Sequence, residues 1–362
     1  MIIGCDFHPS WQQVSWLDTE TGDTGERKLV QISGDAERFY RQLPVPSLVG
    51  MEATGNCHWP VDLLAEIGHE LWVGDAAQIR ASCVRQKTDQ RDAEHILKLL
   101  LEGRFPRIWM PSSEVRDLRQ LLLHRHKLVT IRTRVKNELQ HLCLNQGVQR
   151  KHKLWSKAGQ QVLRELPLKP WAARRREDLL GLLAMLDQQM EPLDRAVKEE
   201  AQRDKMALLL QTQPGVGAVT ALAYVLTMGD VSRFSRGKQV ASYLGLIPRE
   251  HSSGGRQKLG AITKQGNRML RTLLVEAAQM AVRCDPGLRK EYLHRCHQKP
   301  KAVAKVAAAR KLAVRLCWML RTQKPVSTRR SRRSFFLDIP PQKQTQDCTA
   351  TVIWRPSLAA FF

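Results

Sequence analysis

Met1-Ile2-Ile3-Gly4-Cys5-Asp6 opens the chain as an apolar, strand-like run that ends in a carboxylate. A second run, Leu48-Val49-Gly50-Met51-Glu52, does the same. Two further acids lie in Lys87-Thr88-Asp89-Gln90-Arg91-Asp92-Ala93, where a helix begins. Residues three apart share a helix face, so Asp89 and Asp92 can point at one ion site. Taken singly, each acid has an ordinary explanation as a turn former or as a favourable charge at a helix N-terminus. Gathered in space, they repel one another and lose hydration, a combination that calls for cations. Carboxylates holding a pair of Mg²⁺ ions are a recurrent solution for cutting phosphodiesters. Asp6, Glu52, Asp89 and Asp92 are therefore the candidate metal ligands and catalytic residues, and Lys87 is placed to meet a phosphate.

Outward from these runs, the first hundred residues read as α/β. Strands are expected at 2–5, 13–17 and 28–32, with Thr21-Gly22-Asp23 as a turn that makes the three an antiparallel meander. A helix over 35–42 follows, then the strand at 48–51. Pro60 suits the start of a helix running to 67. A short strand at 71–73 and a helix over 89–101 complete the segment. This order is that of the ribonuclease-H-like fold, which gathers acids from its first strand, its fourth strand and a later helix.

The formal net charge of +23 over 362 residues creates a field that attracts polyanions. The excess is uneven: the first hundred residues carry more acids than bases, and the positive charge accumulates downstream. Eight scattered cysteines without a CxxC pair fit reduced thiols in a cytosolic protein. Cys284, His294, Cys296 and His297 lack zinc-finger spacing. The short apolar start, interrupted by Asp6, is no signal peptide, and no apolar run approaches the length of a membrane span.

Residues 112–145 carry Leu121, Leu128, Val135 and Leu142 at intervals of seven, with Leu118 and Leu139 on the same face. Arg125 and Arg132 fall on that seam, while Arg116, Arg119, Arg134 and Lys136 decorate other faces. A second long helix is expected from 176 to about 211, kinked or interrupted at Pro192. The two stretches point to a helical hairpin or coiled coil, or to an ordinary helical bundle. Gln213-Pro214-Gly215-Val216-Gly217 before an apolar segment has the helix-hairpin-helix pattern, in which glycines let backbone N–H groups approach a phosphate. Further on, Pro248-Arg249-Glu250-His251-Ser252-Ser253-Gly254-Gly255 continues to Gly266-Asn267, with Arg256, Lys258 and Lys264 nearby. Such a loop could present a serine hydroxyl to a phosphate, or be a flexible basic loop. Helices are expected over 269–282 and 302–320.

Gly4-Cys5-Asp6, Met51-Glu52-Ala53-Thr54-Gly55, Lys87 through Ala93, Pro214-Gly215-Val216-Gly217, Tyr243-Leu244-Gly245-Leu246-Ile247-Pro248 and Ser252-Ser253-Gly254-Gly255 through Gly266-Asn267 occur in that order. On these motifs the chain resembles, over about residues 1–320, the DEDD transposases of the bacterial "one-ten" insertion-sequence family, also described as bridge-RNA-guided recombinases. The resemblance implies a RuvC-like N-terminal domain (1–110), a coiled-coil linker (111–205) and a mainly α C-terminal transposase domain (206–321). A basic tail (322–362) follows, onto which nothing carries over. It implies Mg²⁺ at Asp6, Glu52, Asp89 and Asp92. It also implies a nucleophilic serine that joins covalently to DNA, placed at Ser253 with Ser252 as the alternative register. Donor and target DNA, a noncoding bridge RNA and a homo-oligomer, dimer or tetramer, are the implied partners, in a cytoplasmic, nucleoid-associated bacterial protein. Lys87, Arg116, Arg119, Arg125, Arg132, Arg134, Lys136, Gly215, Gly217, Arg249, Arg256, Lys258 and Lys264 are the candidate nucleic-acid contacts.

Three rival readings are distinct in chemistry. A stand-alone junction-resolvase-like nuclease needs the acids and no serine. An actin-like sugar kinase shares the Gly-x-Asp start, but the glycine-rich phosphate loops of that class are missing from the sequence. A nucleic-acid-binding scaffold needs no active acids at all.

Overall fold

The structure, a computed structural model, describes residues 1–55, 57–83, 88–149 and 154–325. It divides into two compact units. One gathers Met1–Arg116 and Phe234–Arg271; the other gathers Asp117–Arg233 and the described part of Thr272–Arg333.

The chain begins with β1 (Ile2–Phe7), β2 (Trp11–Leu17) and β3 (Thr24–Val30). These are followed by α1 (Asp35–Gln42), β4 (Leu48–Glu52), α2 (His58–Ile67), β5 (Glu70–Gly74), α3 (Ala76–Ser82) and α4 (Asp89–Leu101). The strands form one mixed sheet in the order β3-β2-β1-β4-β5. The first three pair antiparallel as the expected meander, and β1-β4-β5 run parallel. The central strands are apolar throughout because both faces are covered. Ile3, Cys5, Phe7, Val49 and Met51 meet Ala36, Phe39, Tyr40 and Leu64 of α1 and α2 on one face. Ile2, Leu48 and Trp72 meet Ile96, Leu99 and Leu100 of α4 on the other. The third strand ends at Val30 rather than 32, and α3 was not anticipated. Its start is set by Asp75, whose carboxylate accepts from the N–H groups of Ala77 and Gln78.

A helix of 33 residues, α5 (Ser113–Asn145), leads to α6 (Lys157–Arg164) and to α7 (Pro170–Arg203). Ion pairs join α5 and α7 as antiparallel rungs: Arg125 with Asp194 at 2.5 Å, Arg132 with Asp187 at 2.5 Å, and Glu138 with Arg175 at 2.9 Å. Leu128, Val135, Leu139 and Leu142 pack between them on Leu183, Leu186 and Met190. The two arginines on the apolar seam are thus answered by acids from the facing helix. Of the two outcomes expected at Pro192, interruption does not occur, and α7 runs through it. One missing N–H can be absorbed where Met190 and Val197 on either side are buried. The break falls instead at Asp204, whose side chain accepts from Met206 and Ala207 N–H and so starts α8 (Lys205–Gln211).

After α9 (Ala218–Met228), the chain forms α10 (Gly237–Tyr243) and an unanticipated two-stranded hairpin, β6 (Pro248–Glu250) with β7 (Leu259–Ile262). It ends in α11 (Arg268–Cys284), α12 (Pro286–Gln298) and α13 (Lys301–Thr322). In the second unit α13 packs against α8 and α12. Tyr224 of α9 donates to its Ala313 carbonyl, and Arg315 pairs with the nearly buried Asp285. No helix among the described residues is long and apolar enough to cross a membrane.

Candidate active site

Two glycines position the acids. Gly4 of β1 and Gly50 of β4 are partners in the parallel register. A methyl group on Gly4 would lie 2.3 Å from the Ala93 carbonyl oxygen and 2.4 Å from the Leu97 nitrogen, and one on Gly50 would lie 2.6 Å from Leu100 Cδ1. Helix α4 is therefore seated directly on these strands. Side chains alternate along a strand, so Asp6 and Glu52, two residues beyond each glycine, point to the α4 face. Asp6 follows Cys5 and Glu52 follows Met51, its register partner. The two acids thus end neighbouring strands roughly 4.8 Å apart. Thr88 caps α4 by accepting from Arg91 N–H, which fixes Asp89 and Asp92 in the first turn.

The carboxyl of Asp6 is raised above the ordinary carboxylate range. Burial is the main cause, and the negative charges of Asp92 and Asp89 add to it, while His8 opposes. Asp89 and Asp92 thus lie close enough to act on Asp6. Glu52 Oε1 stands 3.6 Å from Arg80 of α3. Histidine 8 was not foreseen. Its Nε2 lies 3.2 Å from Asp6 Oδ2 and 3.8 Å from Asp89 Oδ1. One donor atom each from Asp6, His8 and Asp89 lies within 4.8 Å of the others. Oxygen donors from the half-buried Asp6 and the exposed Asp89 suit a hard divalent cation. The signal for His8 was its place two residues after Asp6, where strand alternation returns a side chain to the same face. Lys87 lies outside the described residues.

The hairpin carries the serine pair. Ser253 accepts at its carbonyl from Arg256 N–H at 3.1 Å, and Gly254 and Gly255 adopt φ of 57° and 74° in the turn between. Two successive left-handed residues are the requirement of a tight hairpin turn. Ser252 is engaged: its hydroxyl donates to Glu250 at 2.6 Å and accepts from Lys258 N–H at 3.2 Å. The Ser253 hydroxyl is exposed and makes no hydrogen bond among the described residues. Glycines hold the flanks. A Cβ on Gly245 would lie 2.1 Å from the Gln265 carbonyl and one on Gly266 2.1 Å from that of Tyr243. Arg271 donates to the carbonyls of Leu244, Gln265 and Gly266 beneath them.

The candidate nucleic-acid contacts separate into two groups. Arg116 is buried and ion-paired with Asp62. Arg119 donates to the Leu226 carbonyl at 2.7 Å. Arg125 and Arg132 are held by Asp194 and Asp187. A charge on an apolar helix face finds a partner within the fold, which the sequence pattern alone did not reveal. Gly215 has φ of +87° and packs on α11, where a Cβ would lie 2.5 Å from the Ala277 carbonyl. That glycine allows close packing on α11. Gly217 precedes α9 with open space around it. Lys136 stands over the Trp155 ring. Arg249 reaches the Thr263 carbonyl at 3.4 Å. Arg134, Arg256, Lys258 and Lys264 are exposed, and their side chains have no carboxylate partner among the described residues.

Comparison with known proteins gives two family matches. Residues 207–293 match the transposase IS116/IS110/IS902 family, and residues 3–147 match a DEDD transposase family of IS110 type. A "probable family 20 transposase" of Pseudomonas aeruginosa is 31% identical over 329 residues, covering 88% of this chain and 96% of the relative. The transposase for insertion sequence element IS1111A of Coxiella burnetii is 29% identical, covering 65% and 66%. A pilin gene-inverting protein of Moraxella bovis is 27% identical, covering 89% and 92%.

Proposed function

This chain belongs to the IS116/IS110/IS902 family of insertion-sequence transposases, and from that premise we propose that it cuts and rejoins DNA through a metal-bound acidic site and a covalent phosphoserine. The observation that carries the proposal is the seating of α4 on Gly4 and Gly50, with Asp89 of α4 close to Asp6 and Glu52 ending the strand beside it, which supports reading Asp6, Glu52, Asp89 and Asp92 as one site. The β1-to-α4 segment is read as ribonuclease-H-like, in line with its mixed sheet and the place of its acids. Asp6, Glu52, Asp89 and Asp92 would hold divalent cations, a pair of Mg²⁺ ions in this reading, whose charge would polarise the scissile phosphate and stabilise the leaving oxygen.

Ser253 is the nucleophile in this reading, because its hydroxyl is exposed and uncommitted while Ser252 is held by Glu250 and Lys258. Its Oγ attacks the phosphorus, a P–O bond to serine forms, the P–O bond to the leaving strand breaks, and the hydroxyl proton passes to the departing oxygen. Attack by a hydroxyl of the incoming strand reverses the sequence, so rejoining needs no external energy source. Glycine at 254 and 255 leaves room for a phosphate beside the serine.

Donor and target DNA are the substrates. The pilin gene-inverting relatives, by their name, act on a gene inversion, and site-specific strand exchange is the corresponding activity here. Arg134, Lys136, Arg256, Lys258 and Lys264 contact phosphates, and a noncoding bridge RNA supplies the sequence reading by base pairing, which leaves mostly backbone contacts to the protein. The functional form is a homo-oligomer.

The test is strand exchange on the element's own ends, with its flanking noncoding RNA, in Mg²⁺. Asp6→Asn, Asp89→Asn and Ser253→Ala should each abolish exchange, and the wild type should yield a DNA-linked Ser253 peptide. Exchange that persists in the Ser252→Ala/Ser253→Ala double variant would refute the serine chemistry and favour a metal-only nuclease.

A further inference from the structure

The β1–β2 turn delivers one side chain that the four-acid reading does not use. His8 donates its backbone N–H to the Trp11 carbonyl at 2.9 Å, and Gln31 donates to the His8 carbonyl at 2.6 Å. Its ring stacks on Trp11 at 4.2 Å and 26°, and Lys28 Nζ lies 4.2 Å from the centroid of that indole. The imidazole is therefore fixed by contacts that have nothing to do with the acids. The edge it leaves facing them carries Nε2, 3.2 Å from Asp6 and 3.8 Å from Asp89.

Those spacings fit one shared ion. Donors about 2.1 Å from an octahedral cation lie roughly 3.0 Å apart when adjacent and 4.2 Å when opposite. The 3.2 Å spacing to Asp6 is close to that of adjacent ligands, and the 3.8 Å spacing to Asp89 needs only a small turn of that exposed carboxylate to reach one of the two values. We infer that His8 is a further ligand of the divalent cation, its Nε2 joining Asp6 and Asp89, and that this imidazole tilts the site from Mg²⁺ toward Mn²⁺ and later first-row ions. The inference rests on Asp6 and Asp89 being cation ligands. Its chemistry is ordinary: carboxylate and water suit Mg²⁺, whereas an imidazole nitrogen strengthens binding of softer ions in the Irving–Williams order. A ring held in place by Trp11 before the ion arrives also lowers the entropic cost of binding.

The experiment is pulsed electron paramagnetic resonance of Mn²⁺ on the full chain, beside Mn²⁺ and Mg²⁺ titrations of the wild type, His8→Ala, His8→Asn and Asp6→Asn. The wild type should show histidine-nitrogen modulation of the Mn²⁺ echo, absent in both His8 variants. Their Mn²⁺ dissociation constant should rise about tenfold or more, with a smaller change for Mg²⁺. Circular dichroism of His8→Asn controls for folding, since the asparagine keeps a polar group on the exposed turn. Mn²⁺ bound without nitrogen modulation, or with modulation that survives in His8→Ala, would overturn the inference and leave the acidic site standing. Failure of the wild type to bind Mn²⁺ at all, or full binding by Asp6→Asn, would overturn both.

Discussion

Replacing Gly4 by alanine tests the seating of α4 most sharply. The added methyl would stand 2.3 Å from the Ala93 carbonyl oxygen, 2.4 Å from the Leu97 nitrogen and 3.0 Å from Leu97 Cα. Carbon and carbonyl oxygen settle at about 3.3–3.6 Å, so helix and strand must part by roughly 1 Å. All the obstructing atoms are backbone, so no rotamer change relieves them. Overpacking of this kind costs about 1–3 kcal/mol. The same displacement carries Asp89 and Asp92 away from Asp6 and Glu52, and a misplacement near 1 Å in a catalytic constellation costs on the order of 100-fold in rate. Gly50→Ala is the internal comparison. Its methyl meets Leu100 Cδ1 at 2.6 Å, a side-chain atom that can turn aside. Thermal unfolding followed by circular dichroism should therefore place Gly4→Ala below Gly50→Ala, and Mg²⁺-dependent cleavage should fall far more in the first. A Gly4→Ala protein with unchanged melting and cleavage within a few-fold of wild type would refute the packing argument.

Other outcomes follow from particular contacts. Ser253→Ala should eliminate the covalent DNA adduct. Ser252→Ala loses bonds to Glu250 and Lys258 and should cost about 0.5–1.5 kcal/mol of hairpin stability while leaving an adduct detectable by gel. Alanine at Arg256, Lys258 or Lys264 should each flatten the dependence of DNA affinity on salt by about one phosphate's worth, a log–log slope change near 0.9, measured by fluorescence anisotropy. Alanine at Arg125 or Arg132 should leave that slope unchanged. Because these arginines pair with Asp194 and Asp187 at partly exposed positions, stability should fall by no more than about 1 kcal/mol. Asp204→Ala removes the cap between α7 and α8 and should cost about 1 kcal/mol in chemical denaturation.

The apolar runs ending in Asp6 and Glu52 were legible because a central parallel strand must be apolar on both faces, so a terminal carboxylate stands out. Glycines 4 and 50 were visible as letters, but their role was not, since close approach of a helix 50 to 93 residues downstream leaves no local trace. Helices α1 and α4 take the spans read from the sequence, and Thr88 caps the second. Pro192 misled because a local cost was outweighed by burial on either side, and Asp204, a short acid with no apolar period of its own, decided the break instead. Arg116, Arg119, Arg125 and Arg132 look like phosphate contacts in a basic chain. Only the facing acids and carbonyls, far away in sequence, show that the fold engages them. The hairpin around Ser252 and Ser253 is built from Gly-Gly and polar residues with almost no apolar alternation, so it reads as loop. His8 escaped notice for a related reason: its contacts are with Asp6 and Trp11, on either side of a turn whose geometry the sequence does not state, and with Asp89, far away in sequence.

Anomalous diffraction from crystals of the full chain soaked in Mn²⁺ is the most direct measurement. The account predicts a peak about 2.1 Å from carboxylate oxygens of Asp6 and of Asp89 or Asp92, within reach of Glu52. A peak confined to other parts of the surface, or no peak with Asp6 still bonded to His8 alone, would contradict it.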